Sequence, residues 1–456
     1  MKTLLLNGTL VCGGRCEKAD ILIEDETIAR IAPRIGETAG RVIDAAGCYV
    51  FPGFIDTHTH LDLDLGVTKT ADDFASGTRA ALMGGTTTVL DFATQDRGMS
   101  MGAALDVWHQ KAAGSSCHYG FHMAVSEWND ALAGEIDEVL ARGVSSFKMY
   151  MVYDALRVDD GQLYDALRRF RSRDCILGVH CENYDVLQRR IRELHGEGVF
   201  APYGHALARP AAVEAEGVAR LMRIAELAEA PVWVVHLSSG EGLEEACRAR
   251  ARGQEVYLET CPQYLVLDDA RYRDPDAAKF VMSPPLRKPA DSEALLGALG
   301  SGEVDVIGTD HCSFTMAQKG LGQDDFAKIP NGCAGVQNRA QLVYSYAAET
   351  GRITLAQMAA LLSENAARLF GMYPKKGTLT EGSDADITVY DPRGDSAISY
   401  RSNLHHCDNS PYEGLAVRGH VRDVLLMGEP VVSGGQLVRE GMGRFVPRGK
   451  SLRPRR

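Results

Sequence analysis

Two histidines two positions apart, His58 and His60, close the stretch Phe51-Pro52-Gly53-Phe54-Ile55-Asp56-Thr57-His58-Thr59-His60. On an extended strand, residues i and i+2 project to the same face, so the pair can grip one cation between two imidazoles. Taken alone, such a pair is more simply two turn histidines. Three further residues change that weighing: His180 ends the apolar run 175–179, His236 ends 231–235, and Asp310 ends 304–309. Each stands at the C-terminal end of a strand-like segment. Lys148 lies in Val144-Ser145-Ser146-Phe147-Lys148-Met149-Tyr150-Met151, at the end of another. A buried ammonium without a partner is costly, and beside four imidazoles it would repel divalent metals. A neutral lysine that has taken up CO2 becomes a carbamate anion, with two oxygens able to bridge two ions.

The elements that must position these residues follow a regular alternation. Eight candidate buried strands lie near 54–58, 86–92, 118–125, 144–149, 175–180, 232–236, 256–260 and 304–310. Between them run helical patterns such as Val218, Leu221, Met222 and Ala225, at i, i+3, i+4 and i+7. Repeated βα units predict an α/β fold, a (β/α)8 TIM-like barrel over 52–374. An open doubly wound sheet is disfavoured, because no G-x-G-x-x-G turn follows the first strand. In a barrel, four His and an Asp at C-terminal strand ends share the face where sites are built. Residues 1–51 are short, alternating and β-branched, and that texture returns at 386–391 and 421–438. The expectation is a small β-sandwich built from both chain ends, 1–51 and 375–440. Residues 441–456 hold six Arg/Lys and no acid, and read as a solvated or subunit-contacting basic tail.

Composition narrows the partners. The 456 residues carry 49 Lys+Arg against 61 Asp+Glu, a net charge of −12. That balance argues against nucleic acid or an anionic membrane as the main partner. No apolar stretch approaches the length of a membrane span, and the run at Leu4-Leu5-Leu6 is too short for a signal peptide. Eleven cysteines, an odd count with no C-x-x-C pair, suit reduced thiols and a cytoplasmic location rather than a disulfide framework.

The chain resembles the dihydropyrimidinase/hydantoinase group of cyclic amidohydrolases, and most of all its phenylhydantoinase-like members. The resemblance rests on 53–60, on 71–92 with Gly77-Thr78-Arg79-Ala80-Ala81, and on 146–153. It continues through Glu259-Thr260-Cys261-Pro262-Gln263-Tyr264-Leu265, Ser283-Pro284-Pro285-Leu286-Arg287, Thr309-Asp310-His311-Cys312 and Gly382-Ser383-Asp384-Ala385-Asp386. The resemblance implies two divalent ions, zinc or alternatively manganese. His58 and His60 would hold the more buried one, His180 and His236 the other. Carbamylated Lys148 would bridge them, and Asp310 would be both ligand and proton shuttle. Tyr153 would donate a hydrogen bond to the oxyanion, while Ser283 and Asn331 would read the ureido edge of a cyclic amide. A homotetramer is implied in the same way. Loops after the first and fourth strands would place Leu63, Leu65, Tyr150 and Val152 around the 5-substituent, which favours aryl hydantoins over dihydropyrimidines.

Departures separate the relatives. Dihydroorotases typically have Arg shortly after H-x-H, whereas Leu61-Asp62 follow His60 here. Allantoinases usually lack the tyrosine present as Tyr153. Non-enzymatic relatives have lost metal ligands, and all six positions are intact in this chain.

Overall fold

The computed structural model describes residues 2–452. The alternating N-terminal residues form β1 (Lys2–Cys12), β2 (Arg15–Glu24), β3 (Thr27–Ala32), β4 (Arg41–Asp44) and β5 (Tyr49–Pro52). Eight strands follow: β6 (Phe54–Thr59), β7 (Thr86–Thr94), β8 (His118–Ala124), β9 (Ser146–Tyr150), β10 (Ile176–His180), β11 (Val232–Val234), β12 (Val256–Thr260) and β13 (Val306–Ile307). The last four are β14 (Ile387–Ala397), β15 (Ala416–Leu426), β16 (Glu429–Ser433) and β17 (Gln436–Leu437).

Strands β6 to β13 pair in sequence order as one parallel eight-stranded sheet. Helices cover its outside, and this is why the strands read as unbroken apolar runs. The helix Ala211–Ala228 turns Val218, Leu221, Met222 and Ala225 inward, as their spacing predicts. The barrel closes at the seam between β6 and β13. There Thr59 bridges His311, and the His60 amide donates to the His311 carbonyl at 2.8 Å. The fully buried Arg339 guanidinium stitches the seam, donating to Ile55 O and Ile307 O, each at 2.8 Å, and to Thr86 Oγ1 at 3.0 Å.

Both chain ends meet in a second, mostly antiparallel sheet of nine strands, ordered β17-β16-β15-β14-β5-β1-β2-β3 with β4 also on β1. Leu5, Ile21, Ile23, Val50, Ile387, Val389 and Leu425 pack into one core between its strands. The sandwich's two halves are thus continuous through the β5–β14 pairing, where Pro52 faces Ile387 and Tyr49 faces Tyr390.

The stretch expected to be a solvated or subunit-contacting tail runs along the N-terminal end of the barrel. Val446 N donates to Tyr119 O, Arg448 N to Gly143 O, and Leu452 N to Arg368 O, at 2.8–2.9 Å. Phe445 stacks on Phe121, and the Arg448 side chain, 4 % exposed, donates to Ser146 Oγ at 2.7 Å and to the Phe121 carbonyl. Arg444 and Lys450 are exposed, as expected of a solvated stretch, while Arg448 finds carbonyl and hydroxyl acceptors inside the fold rather than water. Residues 453–456 of that tail lie outside the described residues.

Candidate metal centre

The strand-end residues converge at the C-terminal mouth of the barrel. His58 is fully buried on β6, and its Nε2 stands 3.2 Å from Asp310 Oδ1. The Nε2 of His60 stands 3.2 Å from the same oxygen. Lys148 on β9 places its Nζ 3.1 Å from His58 Nε2. The His236 ring centroid is 5.3 Å from that of His58 and 4.5 Å from that of His180, which ends β10. All six expected ligands therefore form one connected group. Among the described residues, His58, His60 and Asp310 bring their ligand atoms within 4.8 Å of one another and form a cluster able to hold a metal ion.

Protonation follows from burial. Loss of water, and then the Lys148 charge, push His58 well below the ordinary imidazole value. Burial, then the neighbouring His180, does the same to His236. Burial alone would raise the Asp310 carboxyl, but His58, His60 and His236 outweigh it and hold the group below the usual carboxylate range. Burial lowers the Lys148 ammonium from its ordinary value, against the pull of Asp310 and Glu259.

Glu259 Oε1 lies 2.6 Å from His58 Nδ1, a hydrogen bond that fixes the ring and turns its Nε2 towards the other ligands. That Nε2 stands between the Asp310 oxygen at 3.2 Å and Lys148 Nζ at 3.1 Å. A cation held between the imidazole and the carboxylate would take both as ligands. His236 Nδ1 is buried without a hydrogen-bond partner among the described residues. Imidazole and carboxylate donors suit zinc, so this donor set fits the implied group.

Three residues around the mouth have left-handed backbone: Tyr153 (φ 74°), His236 (φ 37°) and Asp310 (φ 53°). Non-glycine residues seldom adopt this conformation, and it turns each one as the chain leaves its strand. The Tyr153 ring lies 5.3 Å from His180, and Ser283 sits against its hydroxyl. Burial raises that hydroxyl's pKa, so it remains a hydrogen-bond donor. Asn331 is half-buried, and its Oδ1 has no partner among the described residues.

The expected pocket wall is less uniform. Tyr150 is buried in the barrel, its ring 4.9 Å from Lys148 Nζ. Leu63 is half-buried against the main core, and Leu65 is 42 % exposed where Leu65 N bonds Thr68 O in a tight turn. Val152 packs with Leu187, Leu194, Ala208 and Phe326 in a separate cluster.

Sequence reasoning missed the groups that hold the ligands. Glu259 also accepts from Thr57 Oγ1 at 2.7 Å and His236 N at 3.1 Å. Its signal was present: an acid near the end of the apolar β12, the same signature that singled out His180. Glu182, two residues beyond His180, takes His180 Nε2 at 2.7 Å and pairs with Arg209. Phe92 stacks on His60 with ring centroids 5.0 Å apart.

Comparison with known proteins agrees over the full length. The profile described as "Amidohydrolase family" matches residues 49–431. The chain is 42% identical to the D-hydantoinase of Geobacillus stearothermophilus, over 99% of this chain and 97% of that one. It is 40% identical to the D-phenylhydantoinase of Escherichia coli (strain K12), with both chains covered completely. The crystal structure of the dihydropyrimidinase from Brevibacillus agri NCHU1002 superposes with a TM-score of 0.98 at 41% identity, covering all of both chains.

Proposed function

This chain belongs to the amidohydrolase family, and we propose that it is a two-metal cyclic amidohydrolase opening 5-substituted, chiefly aryl, hydantoins to N-carbamoyl amino acids. The observation that carries the reading is the convergence of His58, His60, Lys148, His180, His236 and Asp310 beside the Tyr153 hydroxyl. Two relatives named D-hydantoinase and D-phenylhydantoinase support hydantoins, while the dihydropyrimidinase among the similar structures keeps dihydropyrimidines as the alternative.

His58, His60, His180, His236 and Asp310 would hold two divalent ions, zinc or alternatively manganese, with carbamylated Lys148 as the bridge. When bound, the ions supply Lewis acidity and lower the pKa of water towards neutrality. The protein's own groups do the rest. Ser283 and Asn331 hold the ureido edge of the ring. Tyr153 donates to the carbonyl oxygen as negative charge gathers on it. Water adds to the carbonyl carbon, the ring C–N bond breaks, and Asp310 carries the proton from water to the leaving nitrogen. Tyr150, Leu63 and Leu65 face the 5-substituent.

The substrate assignment is tested by kcat/KM of the zinc-loaded protein on 5-phenylhydantoin, unsubstituted hydantoin and dihydrouracil. We expect 5-phenylhydantoin to lead, because stacking adds roughly 0.5–1.5 kcal/mol, and Tyr150→Ala to narrow the gap. A preference for dihydrouracil would make the protein a dihydropyrimidinase instead. We carry the homotetramer over from the resemblance; sedimentation checks it. Eleven cysteines, an odd count with no C-x-x-C pair, support a reducing, cytoplasmic setting. No helix among the described residues is long and apolar enough to cross a membrane.

A further inference from the structure

Nine residues beyond Asp310, the short helix Met316–Lys319 ends on a lysine that is 1 % exposed. All three N–H donors of its ammonium are used on backbone carbonyls: Val281 O at 2.7 Å, Pro330 O at 2.6 Å and Gly332 O at 2.7 Å. No carboxylate pairs with it among the described residues; the Phe314 ring lies 5.4 Å away, and the thiols of Cys333, Cys312 and Cys407 and the His205 imidazole act on it only electrostatically. Burial lowers the ammonium to about 8, so the cation still predominates near neutral pH. A buried charge balanced only by carbonyl dipoles is expensive to keep. A methionine or leucine would fill the same space more cheaply, so packing alone does not account for it.

What the ammonium holds is informative. Val281 lies two residues before Ser283, and Pro330 and Gly332 flank Asn331. Gly332 N also donates to Val281 O at 3.0 Å, so one carbonyl receives a bond from each side. The two segments come from opposite sides of β13 in the sequence, and this cation ties them together. We propose that Lys319 is a positioning residue that sets the spacing between Ser283 and Asn331, and thereby the ring size that the site accepts. This rests on the hydantoinase reading above. Five- and six-membered cyclic amides present their carbonyl and N–H groups across different widths. Two readers locked at one separation favour one width over the other.

The experiment compares kcat/KM for unsubstituted hydantoin and dihydrouracil in wild type, Lys319→Met and Lys319→Gln, with bound metal and melting temperature measured alongside. Lys319→Gln is the milder variant, since it keeps two N–H donors, and it is read in the same way if methionine does not fold. Misplacing a bound group by about 1 Å costs on the order of 100-fold in rate. We therefore expect the ratio of the two rates to move by roughly tenfold or more while metal content stays at the wild-type level. A purely structural role lowers both rates together. A ratio within about twofold of wild type in a folded, metal-loaded variant overturns the proposal. If the wild type opens neither ring, the hydantoinase reading falls, and this proposal with it.

Discussion

Glu259→Gln keeps the shape of the side chain and removes its charge. The amide oxygen can still accept from His58 Nδ1 and His236 N, and the amide nitrogen can donate to Thr57 Oγ1, which turns its own proton elsewhere. The number of hydrogen bonds is thus preserved, and what changes is their strength. A bond to a charged group contributes about 1.5–3 kcal/mol against about 0.5–1.5 kcal/mol for a neutral one, so the hold on His58 weakens by roughly 1–1.5 kcal/mol. Losing a partner behind a ligating histidine typically costs about 10–100-fold in metal affinity. The two estimates meet near tenfold, which is the expected drop in zinc affinity by chelator-competition titration. The metal-free protein responds in the opposite sense. Burial raises the Glu259 carboxyl above its ordinary 4.5, so its contribution to stability is complete below that value and is lost as pH climbs through the raised one. Metal-free Glu259→Gln should therefore lose less stability than wild type between pH 6 and pH 8, by calorimetry. Zinc affinity within about twofold of wild type would refute the assignment of Glu259 as the group orienting His58.

Three further outcomes are expected. Lys148→Ala should lose metal and activity together, with partial recovery by short carboxylic acids that place an anion where the carbamate stood; wild-type metal content would sink the bridging role. Asp310→Asn should retain its fold while kcat drops about 100-fold or more, the usual scale for a lost acid–base group; near-normal kcat with metals bound argues against it. His205 donates to Met282 O at 2.8 Å, and burial, its largest cause, holds it down at about 3. Its contribution to stability is present above its ordinary value of 6.5 and lost as pH falls towards about 3, at up to about 1.4 kcal/mol per pH unit. Denaturant unfolding of His205→Asn between pH 6 and pH 4 should show a shallower acid slope than wild type, and equal slopes would disprove this.

The strand-end histidines were legible because an apolar run that stops at a polar residue carries both an element and its direction. The eight-fold βα alternation was legible for the same local reason. The supports for those residues were harder to read, because their partners are brought together only by closure of the barrel. Arg339 is an ordinary arginine in a helical stretch until Ile55 O and Ile307 O meet at the seam. Lys319 in Met316-Ala317-Gln318-Lys319 reads as a surface charge, and only the fold surrounds it with carbonyls. The left-handed turns at Tyr153, His236 and Asp310 carry no glycine to announce them. Tyr150 illustrates a subtler gap. Alternation placed it correctly on the side of Lys148, but could not say how deep in the barrel that side lies.

The strap along the barrel's lower rim also governs the order in which the molecule can be assembled during synthesis. Tyr119 and Gly143 are translated long before Val446 and Arg448, the residues that satisfy their carbonyls. The same holds for β5, whose partner β14 arrives only after the whole barrel has been made. A nascent chain thus carries an open sheet edge and an uncovered barrel end through most of its elongation. Such edges invite mispairing. Expression that slows elongation, or a chaperone that shields β1 to β5, acts on this interval. A fusion that crowds residues 441–452 would be felt as poor yield before it was felt as poor catalysis.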